Sequence, residues 1–303
     1  MSPPLDWPRE WARDRSDRPV WFHAGSNLSL DFHGDPVAAR LAVFSDGNHH
    51  MALAEALQAF LAGQPAVRDI FYATTPPAVL VQALTAGGFS LGNLFLSVRP
   101  QVFISPAPVL EALVANGQMA GHAPFMRSRG NVLLVRAGNP RGIMSARDLA
   151  RPEMRLFLSN PQTEKASYEV YAETLRRFAR TFGISFDFLA GPAARVVHGE
   201  RIHHREAPQA LHDGRADAAV LYFHLALRYT RIFPGCFEMV PLEGGGDPEP
   251  VRREENILTD YHLGLVGDGG EWGARLRDFL QSDHVMEIYR HHGLSRPSPT
   301  SPR

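Results

Sequence analysis

The sequence predicts an α/β fold with largely parallel sheets, and two features of the chain support this prediction. Short apolar runs typical of buried strands alternate with helical patterns from residue 41 towards the C-terminus. Such alternation is typical of βαβ units, in which helices cover the faces of a parallel sheet. The pattern also forms two runs of similar size, at about residues 40–130 and 131–240. A chain of 303 residues is long enough for two domains of ordinary size.

The segment 41–63 shows the repeating motif most clearly. Residues 41–44 are a short apolar run that predicts a strand, and residues 51–63 carry apolar side chains at helical spacing. The polar turn 45–50 between them lies at the carboxyl end of the strand, where open α/β sheets bind ligands. A helix start also offers free N–H groups to an anion. Alternatively, Ser45 or Asn48 only caps the helix.

The same construction recurs twice before residue 130. Residues 69–73 predict a strand that ends in Thr74 and Thr75, and helical spacing follows. Residues 101–104 predict another strand, which ends in Ser105 and leads into a third helix. Because carboxyl ends of parallel strands meet at one edge of a sheet, these hydroxyl groups are expected to lie along that edge.

The rest of the chain continues the alternation. Strands are predicted at 131–137, 154–158, 196–197, 217–222, 237–242 and 261–266, with helices beginning near 145, 165, 207 and 272. Residues 1–38 form an extension whose aromatic residues favour packing on the body. Within it, Asp31, His33 and Asp35 indicate a polar turn rather than a metal site. The residues after the last helix are expected to be disordered.

Composition excludes several classes of function. The net charge of −1 gives no reason to expect nucleic acid or an anionic membrane as a partner. Cys236 is the single cysteine, which excludes a disulfide framework and a cysteine-based zinc site. No apolar run has the length of a membrane span, and the first residues lack the features of a secretory signal. The sequence as written is therefore expected in the cytoplasm, or in the periplasm if the true start lies upstream.

Several segments, taken in order, resemble a known family. They are LAVFSDGNHHMALAEALQAF, PQVFISPAPVLEAL, NVLLVRAGNPRGIMSARDL, RLFLSNPQTEKASYEVYAETL, DGRADAAVLY and RLRDFLQSDHVMEIYRHHGL. Together they resemble type 2 periplasmic binding proteins, and within that group the molybdate-binding proteins of ABC transporters. The resemblance covers roughly residues 40–294. It implies a two-lobed fold with a ligand cleft between the lobes. Lobe 1 would contain residues 39–130 and 241–303, including the C-terminal helix, and lobe 2 would contain residues 131–240.

The function implied is binding of a small oxyanion, such as molybdate or tungstate, without a cofactor. The protein would then serve an ABC transporter if exported, or act as a sensor or carrier in the cytoplasm. The predicted ligand-binding residues are Ser45, Asp46, Asn48, His49, Thr74, Thr75, Ser105, Asn160, Thr163, Glu164, His204, Arg205 and Tyr222. Tyr222 is the sharpest prediction, because a buried tyrosine at a strand end needs a partner for its hydroxyl.

Two alternatives follow from the residues that do not suit an oxyanion. Carboxylates repel a dianion, so convergence of such groups with histidines would favour a divalent metal or a metal chelate. The residues of that metal site would be Asp46, His49, His203, His204 and Glu206. The other alternative is a cytosolic enzyme on the same fold. Lys165 and Cys236 would be its candidate nucleophiles, and neither has an evident catalytic partner in the sequence.

Overall fold

The structure is a computed structural model that describes residues 5, 32–37, 39–91, 93–186, 189, 195–200, 202–247, 249–250 and 254–297. Most of the extension 1–38 and the last residues of the tail therefore lie outside the described residues. Within the described part, the elements are β1 (Phe32–His33), β2 (Leu41–Ser45), α1 (His50–Gly63), β3 (Ile70–Ala73), α2 (Pro77–Ala86), β4 (Phe89–Leu91), β5 (Leu94–Leu96), β6 (Val102–Pro106), α3 (Ala107–Ala115), β7 (Met119–Arg127), β8 (Asn131–Arg136), β9 (Leu156–Leu158), α4 (Lys165–Phe182), β10 (Val196–His198), α5 (His203–His212), β11 (Ala218–Tyr222), α6 (Phe223–Ile232), β12 (Phe237–Pro241), β13 (Asp260–Val266), α7 (Gly270–Leu280) and α8 (Asp283–His291).

The chain divides into two compact units, each with its own sheet. The terminal unit contains Leu28–Arg127 and Thr259–Arg303, and the middle unit contains Ser128–Leu258. The predicted α/β fold is confirmed, with sheets that are mixed rather than wholly parallel.

The terminal unit is built on a sheet of strand order β1-β3-β2-β6-β13-β7 in the described part of the chain. Strands β3, β2 and β6 are parallel, whereas β1, β13 and β7 run antiparallel to their neighbours. Phe44, Phe71 and Phe103 from the parallel strands are buried beneath α2 and α3 in one apolar cluster. Helices α7 and α8 pack against α1 in the same unit.

The middle unit has the strand order β10-β9-β11-β8-β12 among its described residues. Here β10, β9 and β11 are parallel, and β8 and β12 are antiparallel additions. Leu133, Phe157 and Val220 of three neighbouring strands are fully buried. In each unit, therefore, three parallel strands bring their carboxyl ends to one edge of the sheet.

Residues 241–258 correct the predicted boundary of the second lobe. We expected lobe 1 to resume at residue 241, but these residues group with the middle unit and the return occurs at Thr259. The reason is a buried amide pair. The Asn256 side chain accepts a hydrogen bond from the Asn131 N–H at 2.6 Å and donates to the Asn131 carbonyl at 2.9 Å. This pairing fixes the segment to the first residue of β8.

Helix α6, strand β7 and the C-terminal helices are among the elements that differ from the sequence predictions. Helix α6 begins directly after Tyr222, without the glycine, proline or asparagine that usually separates a strand from a helix. Strand β7 is not predicted because its exposed and buried residues do not alternate. The C-terminal helical region is two helices, because Ser282 caps α8 by accepting a hydrogen bond from the Val285 N–H.

Candidate ligand-binding edges

The carboxyl ends of the parallel strands in the terminal unit carry the predicted hydroxyl groups. Ser45 ends β2, Thr74 and Thr75 follow β3, and Ser105 lies near the end of β6. All four residues are buried. Pairing of Ser45 with Ile104 across β2 and β6 places two of these strand ends side by side. Thr74 Oγ1 lies 3.3 Å from His33 Nε2, so part of its hydrogen-bonding capacity is already used.

Ser45 belongs to a buried hydrogen-bond network, described here as the Ser45–His49–Tyr289 network. His49 Nδ1 lies 3.0 Å from the Tyr289 hydroxyl, and His49 Nε2 lies 3.2 Å from Ser45 Oγ. The Ser45 hydroxyl donates to the Asp46 carbonyl at 3.1 Å. One arrangement satisfies every atom. Tyr289 donates to Nδ1, Nε2–H donates to Ser45, and Ser45 donates to the carbonyl.

This network changes the interpretation of two predicted ligand residues. The only hydroxyl hydrogen of Ser45 is used within the protein, and both ring nitrogens of His49 have partners. Burial lowers the pKa of His49 to about 3, so the ring is neutral at physiological pH. His49 contacts the ring of Tyr261 and is fully buried. The expectation that His49 lines a cleft is replaced by a structural role in the terminal unit.

Asp46, rather than Ser45 or Asn48, caps the turn that follows β2. Its carboxylate accepts a hydrogen bond from the Asn48 N–H at 2.8 Å and starts a short 3₁₀ helix. Burial raises the pKa of Asp46 to about 6, against the smaller opposing effect of that hydrogen bond. A carboxylate thus occupies an N–H group that a bound anion would otherwise use. Asn48 itself is half-buried in the same turn.

Ser105 differs from the other hydroxyl residues of this edge. Its Oγ atom is fully buried and has no hydrogen-bond partner among the described residues. Helix α3 begins two residues later, and its N-cap residue, Pro106, supplies no side-chain cap. A buried hydroxyl without a partner costs about 1–3 kcal/mol, and a bound ion or water beside it would remove that cost.

The middle unit repeats this arrangement at Ser159, which the sequence analysis did not select. Ser159 follows the last residue of β9, and its buried Oγ atom likewise has no partner among the described residues. The signal was present in the sequence, because Ser159 directly follows a buried apolar strand, much as Ser105 does. The neighbouring Asn160 was selected instead. Its amide donates to the Gly199 carbonyl at 3.2 Å and accepts from the Gln162 N–H at 2.9 Å.

Two carboxylates occupy the start of α5 in the middle unit. Glu164, which precedes α4, accepts a hydrogen bond from the His203 N–H at 2.8 Å. Glu206 accepts hydrogen bonds from the N–H groups of Glu200 and Ile202. Burial raises the pKa of Glu164 to about 7, and the charge of Glu206 acts in the same direction. Glu164 is therefore partly protonated at neutral pH.

The histidines at the start of α5 are buried. His203 stacks on Phe157 and packs against Tyr171, and burial lowers its pKa to about 3. His204 and Arg205 are also buried in the first turn of the helix. Thr163, by contrast, is exposed. Glu164 and Asn160 each connect neighbouring strand–helix turns through a hydrogen bond.

Tyr222 is placed as predicted at the end of β11 and is the N-cap residue of α6. Its side chain is buried between the rings of Tyr171, at 5.2 Å, and His224, at 5.3 Å. Tyr222 lies at the carboxyl edge of the middle sheet, and its contact with a ligand therefore stays a prediction.

The metal site considered as an alternative does not form among the described residues. No group of three or more histidine, cysteine, aspartate or glutamate side chains with metal-binding geometry occurs there. In the extension, Asp31 lies outside the described residues, and His33 stacks on Tyr72. Asp35 forms a turn by accepting a hydrogen bond from the Val37 N–H.

Comparison with known proteins identifies the family. A family model described as bacterial extracellular solute-binding protein matches residues 41–295. The molybdate-binding protein ModA of Mycobacterium tuberculosis is 24% identical over 205 residues, which cover 67% of this chain and 69% of that protein. None of the described helices combines the length and apolar character that crossing a membrane requires.

Solved structures show the same fold. The sulfate-binding protein SubI of Mycobacterium tuberculosis aligns with a TM-score of 0.61 at 17% identity, covering 86% of this chain and 87% of that chain. PEB3 of Campylobacter jejuni bound to L-phospholactate aligns with a TM-score of 0.60 at 13% identity, covering 85% and 100%. The predicted resemblance to type 2 periplasmic binding proteins is confirmed, as is the prediction of a binding protein rather than an enzyme. The chain belongs to the family of bacterial extracellular solute-binding proteins.

Proposed function

We propose that this solute-binding protein binds a small oxyanion, such as molybdate or tungstate, through hydroxyl and backbone N–H donors. The observation that carries the proposal is the pair of buried hydroxyls without partners among the described residues, Ser105 and Ser159. Each lies at or next to the carboxyl end of a parallel strand, one in each unit. A tetrahedral oxyanion accepts hydrogen bonds only, which is the chemistry that such donors supply.

Other donors support the same chemistry. The N-cap residues of α2, α3 and α6 provide no side-chain cap, and Thr74, Thr75 and Tyr222 lie at the strand ends before these helices. The first N–H groups of a helix lack partners within the helix and lie at the positive end of its dipole. Relatives whose names mention molybdate or sulfate agree with an oxyanion ligand. By the same analogy we propose an ABC transporter as the protein partner.

The carboxylates near these edges do not exclude an anion. Asp46 and Glu206 are held by backbone N–H groups within their own turns, and Glu164 is held by the start of α5. The raised pKa of Glu164 also reduces its negative charge near neutral pH. Two of the histidines named for the alternative divalent-metal ligand, His49 and His203, are buried against aromatic rings.

The test is a binding experiment with serine variants. Thermal-shift screening would compare molybdate, tungstate, sulfate and phosphate, and calorimetry would then measure the best anion with Ser105→Ala and Ser159→Ala. Each variant should bind about ten- to a hundredfold more weakly, since a hydrogen bond to a charged group contributes roughly 1.5–3 kcal/mol. The melting temperature of the free protein should stay equal or rise slightly, because each variant removes a buried hydroxyl without a partner.

The matched control is Ser90→Ala in β4, where the serine is exposed. This variant should bind the anion as the unaltered protein does. Absence of any anion-induced shift, or unchanged affinity in both Ser105→Ala and Ser159→Ala, would contradict the proposed function. The sequence left the periplasm and the cytoplasm as alternative locations. Cell fractionation would decide between them.

A further inference from the structure

A pair of histidines lies on the sheet of the terminal unit, on the β13–β7 side of that sheet. His122 in β7 and His262 in β13 approach each other with their Nδ1 atoms 2.7 Å apart. The ring centroids are 4.8 Å apart and the planes are tilted by 57°, so the contact is made through the nitrogens and not by stacking. Both side chains are half-buried, which leaves part of each ring in contact with solvent.

Backbone register explains why the two rings meet. His122 pairs with Gly264, and His262 lies two residues before Gly264 on the same face of β13. A side chain at position 264 would have its Cβ 3.3 Å from the His122 Cβ and 2.6 Å from the Gly121 carbonyl oxygen. Glycine at this position therefore gives the His122 ring the room to reach diagonally across to His262.

Two carboxylates lie near the pair, and one of them, Asp260, is ion-paired with Arg127. Asp260 and Glu111 are near enough to raise the pKa of His262, although burial and His122 lower it more strongly. Glu111 on α3 is exposed and has the freedom to turn towards the rings.

We propose that His122 and His262 form a binding site for a divalent transition metal such as Cu²⁺ or Zn²⁺, next to Ser105, which pairs with His262 across β6 and β13. Imidazole nitrogen is a preferred ligand of both ions. In the free pair, one ring carries its hydrogen on Nδ1 and donates it to the other Nδ1. When the metal binds, that hydrogen moves to Nε2 of the same ring, both Nδ1 atoms coordinate the ion, and a neutral pair loses no proton. Water completes the coordination.

The site is tested on the full chain with Zn²⁺ and Cu²⁺ alone. Calorimetry should show one site that is weakened at least tenfold by His122→Gln and by His262→Gln, because each removes one of two ligands. Glutamine keeps most of the volume of the ring, and circular dichroism of each variant checks that the sheet is intact. The electron paramagnetic resonance spectrum of bound Cu²⁺ should show coupling to two imidazole nitrogens.

His284→Gln is the matched control, since His284 is an exposed histidine on α8 of the same unit. It should bind Zn²⁺ with unchanged affinity. The proposal is overturned if the unaltered protein binds neither ion, if both pair variants bind as tightly as it does, or if His284→Gln weakens binding as much as they do. The metal titrations contain no oxyanion, so failure of metal binding and failure of anion binding are observed as separate outcomes even though His262 pairs with Ser105.

Discussion

The two units use the same residue types at their sheet edges but connect them differently. Each edge has a buried neutral histidine, His49 or His203, and a carboxylate of raised pKa, Asp46 or Glu164. In the terminal unit, Asp46 accepts a hydrogen bond from its own turn, two residues away. In the middle unit, Glu164 accepts its hydrogen bond from the start of another helix, 39 residues away.

Both carboxylates titrate near neutral pH, so the difference lies in which hydrogen bonds depend on them. The terminal edge is held by the Ser45–His49–Tyr289 network, whose members carry no charge at pH 7. The middle edge is held by a carboxylate whose pKa is about 7. Proton uptake near pH 7 should therefore change the Glu164–His203 contact, whereas Asp46 takes up its proton about one pH unit lower and the Ser45–His49–Tyr289 network stays unchanged.

The largest effect is expected from breaking the terminal network with Tyr289→Phe. This change keeps the ring and removes the hydroxyl that pairs with His49 Nδ1 at 3.0 Å. The buried nitrogen loses its partner, so the free energy of unfolding should fall by about 1–3 kcal/mol. Denaturant unfolding measures the change. Tyr168→Phe, at a half-buried tyrosine on α4, is the control and should unfold almost like the unaltered protein. Equal free energies of unfolding for Tyr289→Phe and Tyr168→Phe would contradict the proposed role of the Tyr289 hydroxyl in the network.

An intermediate effect is expected from Glu164→Gln in the middle unit. The native pKa of about 7 lies above the ordinary 4.5, so the folded form binds the proton more tightly than the unfolded chain. The contribution of this group to stability is therefore lost as pH rises from about 4.5 to 7. Anion affinity should likewise fall several-fold between pH 6 and 8 as Glu164 ionises, and Glu164→Gln should remove most of that dependence.

Calorimetry at pH 6, 7 and 8 with the anion identified by screening measures this dependence. Glu169→Gln serves as the control, because Glu169 is an exposed residue on α4 whose carboxylate pairs with Lys165 at 3.7 Å. It should keep the pH dependence of the unaltered protein. The same dependence in Glu164→Gln would show that Glu164 is not the titrating group.

The smallest effect on binding is expected from Ser45→Ala. Its hydroxyl hydrogen is used by the Asp46 carbonyl, so it is not available to an anion. Affinity should stay within about twofold, and stability should fall by about 1 kcal/mol for the lost hydrogen bonds. Comparing the affinities of Ser45→Ala and Ser105→Ala therefore distinguishes a hydroxyl that the fold already uses from a hydroxyl that has no partner among the described residues. A tenfold loss of affinity in Ser45→Ala would contradict this distinction.

The order of strands and helices, and the polar residues at their junctions, were determined by the sequence itself. Apolar runs, helical spacing and turn residues are local signals, so Thr74, Ser105 and Tyr222 could be placed at strand ends without a structure. The family was recognisable for the same reason, since the order of these local segments is specific.

Tertiary structure decided which of these polar groups are used within the fold. His49 is hydrogen-bonded to Tyr289, 240 residues away in the sequence, and Ser45 is hydrogen-bonded to His49 and to the Asp46 carbonyl. Glu164 reaches His203 through a contact between two different turns, and His122 meets His262 across a separation of 140 residues. Hydrogen-bond partners and burial arise when distant elements pack together, whereas the periodicity of a segment reports only its own backbone. The partners of a polar side chain therefore depended on the folded chain, while its place at a strand end did not.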